Sequence, residues 1–370
     1  MREARDILIT GYPSFVARHL LGVIAADEPE ARVRLLVRPD FVDAARGHLE
    51  RLDEAMPAAR ERVMMLTGDV VAMDLGLSGM EYLDLIANVT DIFHIASIWY
   101  LGVDRKQTRE VNVEGTKNVI DAATEMRKLR RLNHFSTAFV AGDRTGVIME
   151  DELDEGQSFR NAYEKTKFEA ERLMRRAADI LPVSIFRPSL IVGDSRTGEI
   201  DKLAGPYFLI SAIMMMPPNV PTVMPGRGDK PLNAVPIDFV TEAMWRISLR
   251  DDTAGRTFHL CDPNPLSARK VFGLVAEACG RPKPINALPY RLTKLVMQFP
   301  YLERLTRQRR QFLDDFNQLT IYNCLNTMDA LDGRALCPPF PTYVDRLIAY
   351  LRDHDGRISA DLPLDEEILG

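Results

Sequence analysis

A tyrosine and a lysine four residues apart are the side chains in this sequence most suited to acid–base chemistry. Tyr163 and Lys167 lie in the run Tyr163-Glu-Lys-Thr-Lys167, and this spacing places both side chains on one face of a helix, one turn apart. An ammonium group beside a phenol favours the phenolate, so we expect Lys167 to lower the pKa of Tyr163 from about 10 toward neutrality. A tyrosine tuned in this way can donate and accept a proton. The plainer interpretation is an ordinary tyrosine–lysine pair on a helix surface.

Two adjacent hydroxyl groups precede this pair along the chain. Ser136 and Thr137 end a predicted strand within His134-Phe-Ser-Thr-Ala-Phe-Val-Ala-Gly142. A hydroxyl placed beside Tyr163 could polarise a carbonyl oxygen. The alternative is that both hydroxyls serve only capping and turn hydrogen bonds.

A modified glycine loop follows the first predicted strand. In the run from Thr10 to Leu20, the three positions typical of a dinucleotide loop are Gly11, Ser14 and Ala17. Such a loop places a pyrophosphate at a helix N-terminus, where backbone N–H groups and the helix dipole bind it. Ser14 carries a Cβ where the phosphates approach most closely, and Pro13 lacks an N–H. An ordinary strand–turn–helix connection is the alternative interpretation.

The second predicted strand ends at an arginine rather than an acid. The strand ends Leu35-Leu-Val-Arg38; an acidic residue at this strand end would favour NAD, whereas arginine accommodates the extra phosphate of NADP. We therefore expect a preference for NADP(H), with NAD(H) as the alternative and with Arg34 and Arg18 adding positive charge nearby. A solvated arginine at a strand end is the plainer interpretation.

The elements that position these residues alternate between short apolar runs and longer amphipathic segments. We predict strands over 7–9, 33–37, 63–66, 91–96, 132–136 and 183–187, and helices over 15–26, 41–55, 105–126 and 160–178. This alternation predicts βαβ units with right-handed crossovers, and therefore an α/β protein with a doubly wound parallel sheet, a Rossmann fold. After about Gly193 the alternation of predicted strands and helices ends. We expect residues 234–239 and 257–260 to form further strands of the same sheet.

We also predict a division into a nucleotide domain and a substrate lobe. Residues 1–200, with 232–262 returning to them, form the predicted NAD(P)-binding domain. Residues 201–231 and 263–370 form a smaller, mostly helical substrate-binding lobe.

Composition excludes several classes of protein. The 370 residues are 46% hydrophobic and 27% charged, which is typical of a globular protein with a sizeable core. A formal charge of −6 argues against nucleic-acid binding. The four cysteines are widely spaced, so we expect reduced thiols and no metal site. The charged N-terminus and the short apolar runs predict a cytoplasmic protein without a signal peptide or membrane span.

In their order along the chain, these motifs resemble those of the extended short-chain dehydrogenases/reductases. Within that superfamily the chain is similar to the fatty acyl reductase and thioester reductase branch, called male sterility, and to the N-terminal reductase domain of bacterial multidomain fatty acyl-CoA reductases. The motifs that carry the resemblance are Ser136-Thr-Ala-Phe-Val-Ala-Gly142, Tyr163-x-x-x-Lys167, Phe186-Arg-Pro-Ser189, Gly198-Glu-Ile-Asp-Lys202, Gly205-Pro-Tyr207, Leu232-Asn-Ala-Val-Pro-Ile-Asp-Phe-Val240 and Phe258-His-Leu260.

The resemblance implies a role for each site residue. Tyr163 is the implied general acid/base, Lys167 tunes it and anchors the ribose, and Thr137 holds the substrate carbonyl. The implied cofactor-binding residues are Gly11, Tyr12, Pro13, Ser14, Phe15, Val16, Arg38, Asp69, Val70, Ala96, Ser97, Tyr163, Lys167, Pro188 and Ser189. Ser14 and Ala17 depart from the family's glycine loop.

The predicted substrate is a lipophilic small molecule. Residues 208–224 and 292–299 are rich in Met, Leu and Phe, which suits an alkyl pocket, although core packing between helices would look the same. The basic run 302–312 suits peripheral contact with an anionic membrane or with the phosphates of a CoA ester, or is a solvated helix face. We expect NADPH-dependent reduction of a fatty acyl thioester or fatty aldehyde. The alternatives are a hydroxysteroid-type dehydrogenase, a nucleotide-sugar epimerase and a non-catalytic NAD(P)-binding sensor. The sequence indicates no oligomeric state.

Overall fold

The first strand carries apolar residues on both of its faces, so the sheet that contains it must be covered on both sides. Ile7 and Ile9 belong to one buried cluster and Leu8 to another, and all three are fully buried. A strand buried on both faces is typical of a parallel sheet covered by helices on each side. The computed structural model describes residues 4–99, 104–201, 210, 213, 223–225, 227–283, 285–288 and 318–358.

The central sheet has seven strands, and every neighbouring pair is parallel. Its strands are β1 (Asp6–Tyr12), β2 (Arg32–Val37), β3 (Val63–Thr67), β4 (Asp91–His94), β5 (Arg131–Phe135), β7 (Val183–Pro188) and β11 (Thr257–Leu260). The spatial order is β11-β7-β5-β4-β1-β2-β3. This order reverses direction between β1 and β4, which is the topological switch point where doubly wound proteins bind ligands.

The remaining strands form three separate two-stranded parallel sheets. They are β6 (Gly146–Ile148) with β13 (Thr320–Tyr322), β8 (Leu190–Val192) with β10 (Ala234–Pro236), and β9 (Val223–Pro225) with β12 (Ile285–Leu288).

The α-helices lie on both faces of the central sheet and in the C-terminal part. They are α1 (Phe15–Asp27), α2 (Val42–Ala55), α3 (Pro57–Arg60), α4 (Gly79–Asn88), α5 (Arg105–Arg109), α6 (Gly115–Glu125), α7 (Ala162–Ala177), α8 (Ile237–Ser248), α9 (Ala268–Ala278), α10 (Leu325–Leu331) and α11 (Val344–Ile358). The prediction of a doubly wound Rossmann fold is confirmed.

Three predicted elements differ from the structure. The helix predicted over 105–126 is interrupted by a π-helical turn over Glu110–Glu114, between α5 and α6. The strand predicted over 91–96 ends at His94. The prediction that 234–239 joins the main sheet is wrong, because β10 pairs with β8 and α8 begins at Ile237.

The C-terminal helices contribute to a second buried cluster. Residues of α9 and α11 pack there with Leu232 and Ala234. The division into domains near residue 200 stays a prediction. The apolar run 208–224 is described only at Ile210, Ile213 and 223–224, and the runs 292–299 and 302–312 lie outside the described residues. No helix in the described parts of the chain is long and apolar enough to cross a membrane.

Candidate active site

The turn after β1 is built around a glycine that no other residue replaces easily. Gly11 has φ +81°, and a Cβ on it would lie 2.6 Å from the backbone N of Ala96. The preceding Thr10 hydroxyl accepts hydrogen bonds from the N–H groups of Ile95 (3.1 Å) and Ala96 (3.2 Å). The turn is therefore held against the segment that follows β4 at backbone-to-backbone distance.

Ser14 is compatible with the loop because it caps helix α1. Its φ of −57° is open to any residue, and its Oγ accepts from the backbone N of Ala17 at 3.4 Å. The first-turn amides of Phe15 and Val16 have no acceptor within the helix, so they remain suited to an anion. Tyr12 is buried in the main hydrophobic cluster, so its side chain belongs to the core.

Arg38 stands at the end of β2, where the sequence places the cofactor-selecting residue. Its Nη2 lies 2.6 Å from Asp40 Oδ2 and its Nε lies 3.5 Å from Asp69 Oδ2, while the guanidinium stacks 5.6 Å over Phe41. Asp69 also accepts from the N–H of Val71 at 3.0 Å. Arg38 is thus oriented by two carboxylates and one ring.

The expectation that Arg34 and Arg18 add free positive charge beside Arg38 is wrong. Arg34 is buried and forms ion pairs with Asp6 at 2.7 Å and with Asp84. Arg18 forms an ion pair with Asp201 at 2.5 Å. Both charges are neutralised by acidic residues from other elements.

The other predicted cofactor residues lie at the carboxyl ends of their strands or just beyond them. Val70 is buried directly against Gly115 of α6. Ala96 and Ser97 follow β4 and are partly exposed. Pro188 ends β7, and the Ser189 hydroxyl donates to Asn233 Oδ1 at 2.7 Å.

Tyr163, Lys167 and Thr137 come together between β5 and α7. Tyr163 and Lys167 lie one turn apart on α7, which is capped by the Asn161 side chain. The Thr137 side chain lies close enough to the Tyr163 hydroxyl to lower the pKa of that phenol. Lys167 Nζ donates to the carbonyl oxygen of Phe135, the last residue of β5, at 2.5 Å. The three predicted catalytic residues therefore meet at one strand end.

The prediction that Lys167 lowers the pKa of Tyr163 is wrong. Burial raises the pKa of Tyr163 to about 12, and the nearby Thr137 side chain offsets only part of that rise. The Lys167 ammonium is directed at the Phe135 carbonyl instead. Burial also lowers the pKa of Lys167 to about 8, against the opposing charge of Glu171. Tyr163 is thus a protonated phenol at neutral pH.

Two buried residues that hold the site together were not among the predicted site residues. Asn112, inside the π-helical turn, accepts from the N–H of Ile98 at 2.7 Å and donates to the Thr166 hydroxyl at 3.0 Å. It thereby joins the segment after β4 to α7. Glu171 is fully buried four residues after Lys167. The sequence signals were an asparagine between two valines and an acid on the Tyr163–Lys167 face.

A buried histidine, His94, holds together the elements that lie beneath the Gly11 turn. The Thr10 hydroxyl lies 2.9 Å from His94 Nδ1, and the Thr116 hydroxyl lies 2.9 Å from His94 Nε2. Burial lowers the pKa of His94 to about 3. A neutral imidazole therefore links β1, β4 and α6 beneath the Gly11 turn.

These residues fit a nicotinamide dinucleotide. Gly11 lets the turn pack against the backbone of Ala96, and the α1 amides that follow the turn suit a pyrophosphate. Among the described residues, no group of three or more His, Cys, Asp or Glu side chains could hold a metal ion. The four cysteines are free thiols.

Comparison with known proteins gives a consistent family. A family model described as male sterility protein matches residues 9–244. The fatty acyl-CoA reductase wat of Drosophila melanogaster is 26% identical over 277 residues, covering 65% of this chain and 53% of that protein. The aldehyde reductase lnaA of Aspergillus flavus is 25% identical over 399 residues, covering 97% of this chain and 37% of that protein. The chain therefore spans about half, or less, of the length of these relatives.

Solved structures agree with this result. The terminal R domain of the myxalamid PKS-NRPS pathway superposes with a TM-score of 0.82 at 26% identity, covering 96% of this chain and 93% of that one. The R domain of a nonribosomal peptide synthetase from Mycobacterium tuberculosis has the same fold, with a TM-score of 0.69 at 21% identity, covering 95% of this chain and 92% of that one. The family model covers more than half of the chain and the fold matches, so the chain belongs to the male sterility protein family of extended short-chain dehydrogenase/reductase enzymes.

Proposed function

We propose that this chain is an NADPH-dependent reductase of the carbonyl group of a lipophilic substrate, either a fatty acyl thioester or a fatty aldehyde. The observation that carries the proposal is the placement of Lys167 at the carboxyl end of β5, where its Nζ donates to the Phe135 carbonyl, with Tyr163 one turn away on α7 and Thr137 beside the phenol. Tyr163 and Thr137 are the groups that a carbonyl oxygen needs as it gains negative charge.

The protonated state of Tyr163 suits reduction rather than oxidation. When bound beside the Gly11 turn and α1, NADPH would supply the hydride for the carbonyl carbon. With a pKa of about 12, Tyr163 retains its proton at neutral pH and can donate it to the carbonyl oxygen. Thr137 offers a second hydroxyl beside the phenol, and Lys167 keeps further N–H donors beyond the one that Phe135 accepts.

The choice of NADPH is supported by Arg38. Its guanidinium is held at the end of β2 by Asp40 and Asp69, a place where arginine suits the extra phosphate of NADP. The choice of substrate is supported by the relatives. One is named a fatty acyl-CoA reductase and another an aldehyde reductase.

A screen of NADPH oxidation over acyl-CoA esters of C4 to C16, fatty aldehydes and ketosteroids tests this proposal. We expect kcat/KM to rise with chain length, because each methylene buried contributes about 0.8 kcal/mol, or roughly fourfold. The Tyr163→Phe variant is the background control. A flat response to chain length, or turnover of ketosteroids alone, contradicts a long-chain substrate.

A further inference from the structure

Glu171 is a fully buried carboxylate one helical turn after Lys167. Its Oε2 accepts a hydrogen bond from the Ser136 hydroxyl at 2.6 Å. Its Oε1 lies 2.6 Å from Arg187 Nη2 and 3.1 Å from Arg175 Nε. Ser136 follows β5 and Arg187 lies on β7. One carboxylate therefore ties α7 to the carboxyl ends of two neighbouring strands.

The network continues from Arg187 to β11. Arg187 Nη1 lies 3.2 Å from His259 Nε2, and His259 Nδ1 lies 2.7 Å from the carbonyl oxygen of Asn323. A carbonyl oxygen can only accept, so Nδ1 carries the proton and Nε2 accepts from Arg187. His259 is neutral, because burial and the neighbouring arginine lower its pKa to about 3. The charges facing Glu171 are thus Lys167 and Arg175 from its own helix and Arg187 from β7.

The ionisable groups that face Lys167 come from three elements. His94 lies on β4, His134 on β5 and Glu171 on α7. Burial lowers the pKa of both histidines far below neutrality, so they remain uncharged from pH 6 upward. Arg187 and Arg175 hold the carboxylate of Glu171 in its ionised form, with its pKa lowered. Glu171 is therefore the negative charge that opposes the desolvation of Lys167.

We propose that Glu171 is a positioning residue of the reductase site, which fixes Ser136 and Arg187 at the strand ends and places a buried negative charge one helical turn from the Lys167 ammonium. This inference rests on the proposed function, because the charge of Lys167 affects turnover only if Lys167 binds the cofactor. Glu171 itself touches neither substrate nor cofactor in this account. Glu171 acts on the site through the charge of Lys167 and through Ser136, the neighbour of Thr137.

The test measures the protonation of Lys167 directly, without cofactor or substrate. The full chain is labelled with [13Cε]lysine, and the Lys167 resonance is assigned by its loss in Lys167→Met. The resonance is then followed from pH 6 to pH 11. In the wild type we expect a midpoint near 8, as burial dictates.

Two variants should move the midpoint in opposite directions. Glu171→Gln removes the opposing charge, and we expect the midpoint to fall by about one pH unit or more. Arg175→Gln removes a cation that competes for Glu171, so the midpoint should rise. Its side chain is 29% exposed, which favours folding of this variant. Glu169→Gln is the matched control, because Glu169 lies on the same helix but pairs with Arg109 at 3.5 Å; its midpoint should equal that of the wild type.

A purely structural role for Glu171 predicts lost stability with an unchanged midpoint. An unchanged midpoint in folded Glu171→Gln overturns the proposal, and so does an unchanged midpoint in Arg175→Gln if Glu171→Gln does not fold. NADPH oxidation is measured in parallel on the wild type. If the wild type oxidises NADPH but the Lys167 midpoint does not shift in the variants, only the positioning role of Glu171 is rejected. If the wild type does not turn over, the proposed function is rejected.

Discussion

Replacing Gly11 by alanine tests whether the cofactor turn is built as described. The new Cβ would lie 2.6 Å from the N and 2.7 Å from the Cα of Ala96, both backbone atoms that cannot move aside cheaply. The φ of +81° adds about 1–2 kcal/mol for an L-residue in the left-handed region, and overpacking adds about 1–3 kcal/mol. We therefore expect Gly11→Ala to lower the free energy of unfolding by about 2–5 kcal/mol.

A glycine-to-alanine substitution within helix α1 should raise the free energy of unfolding instead of lowering it. Gly22 lies within α1, and a Cβ on it would meet nothing within 4 Å. Gly22→Ala should therefore stabilise the protein by about 0.5–1 kcal/mol, because alanine is the better helix former. Urea denaturation followed by circular dichroism measures both values, and fluorescence titration measures NADPH binding, which Gly11→Ala alone should weaken. Equal stability and equal NADPH affinity in the two variants would refute the backbone contact between Gly11 and Ala96.

Three further results are expected. Ser14→Gly should leave stability within a few tenths of a kcal/mol and NADPH binding unchanged or improved, since glycine is an adequate N-cap; a severe loss of affinity in titration would show that the hydroxyl holds the pyrophosphate. NADPH should bind more tightly than NADH, and Arg38→Ala should narrow that gap while the exposed Arg46→Ala does not; equal wild-type affinities for the two nucleotides would contradict the role of Arg38. Reduction should be fastest below pH 8 and fall as pH rises through about 8, because Lys167 loses its proton there while Tyr163 keeps its own; a kcat/KM profile that stays level from pH 7 to pH 9 would contradict this.

The sequence was sufficient to predict features that depend on local pattern. The alternation of apolar runs and amphipathic segments predicted the parallel sheet, because strands such as Ile7-Leu8-Ile9 are apolar on both faces. Gly11 was predicted from its place after a strand. Helical spacing placed Tyr163 and Lys167 one turn apart.

Features that depend on distant partners could not be predicted in the same way. The sequence does not reveal the ion pairs of Arg34, because its partners, Asp6 and Asp84, come from another strand and a helix. The pKa of Tyr163 follows from burial, which helical spacing does not reveal. Residues 234–236 read as a strand, but only the folded chain decides that they pair with β8.

The assignment of Tyr163 as the proton donor is the central claim, and one measurement tests it most directly. Tyr163→Phe removes only the hydroxyl, so the fold and the NADPH dissociation constant should remain nearly unchanged. Steady-state NADPH oxidation with the preferred substrate should fall by about 10² to 10⁴, the usual contribution of general acid catalysis. Wild-type turnover by Tyr163→Phe would contradict the account, and a cofactor-binding or sensing role would then explain the chain better.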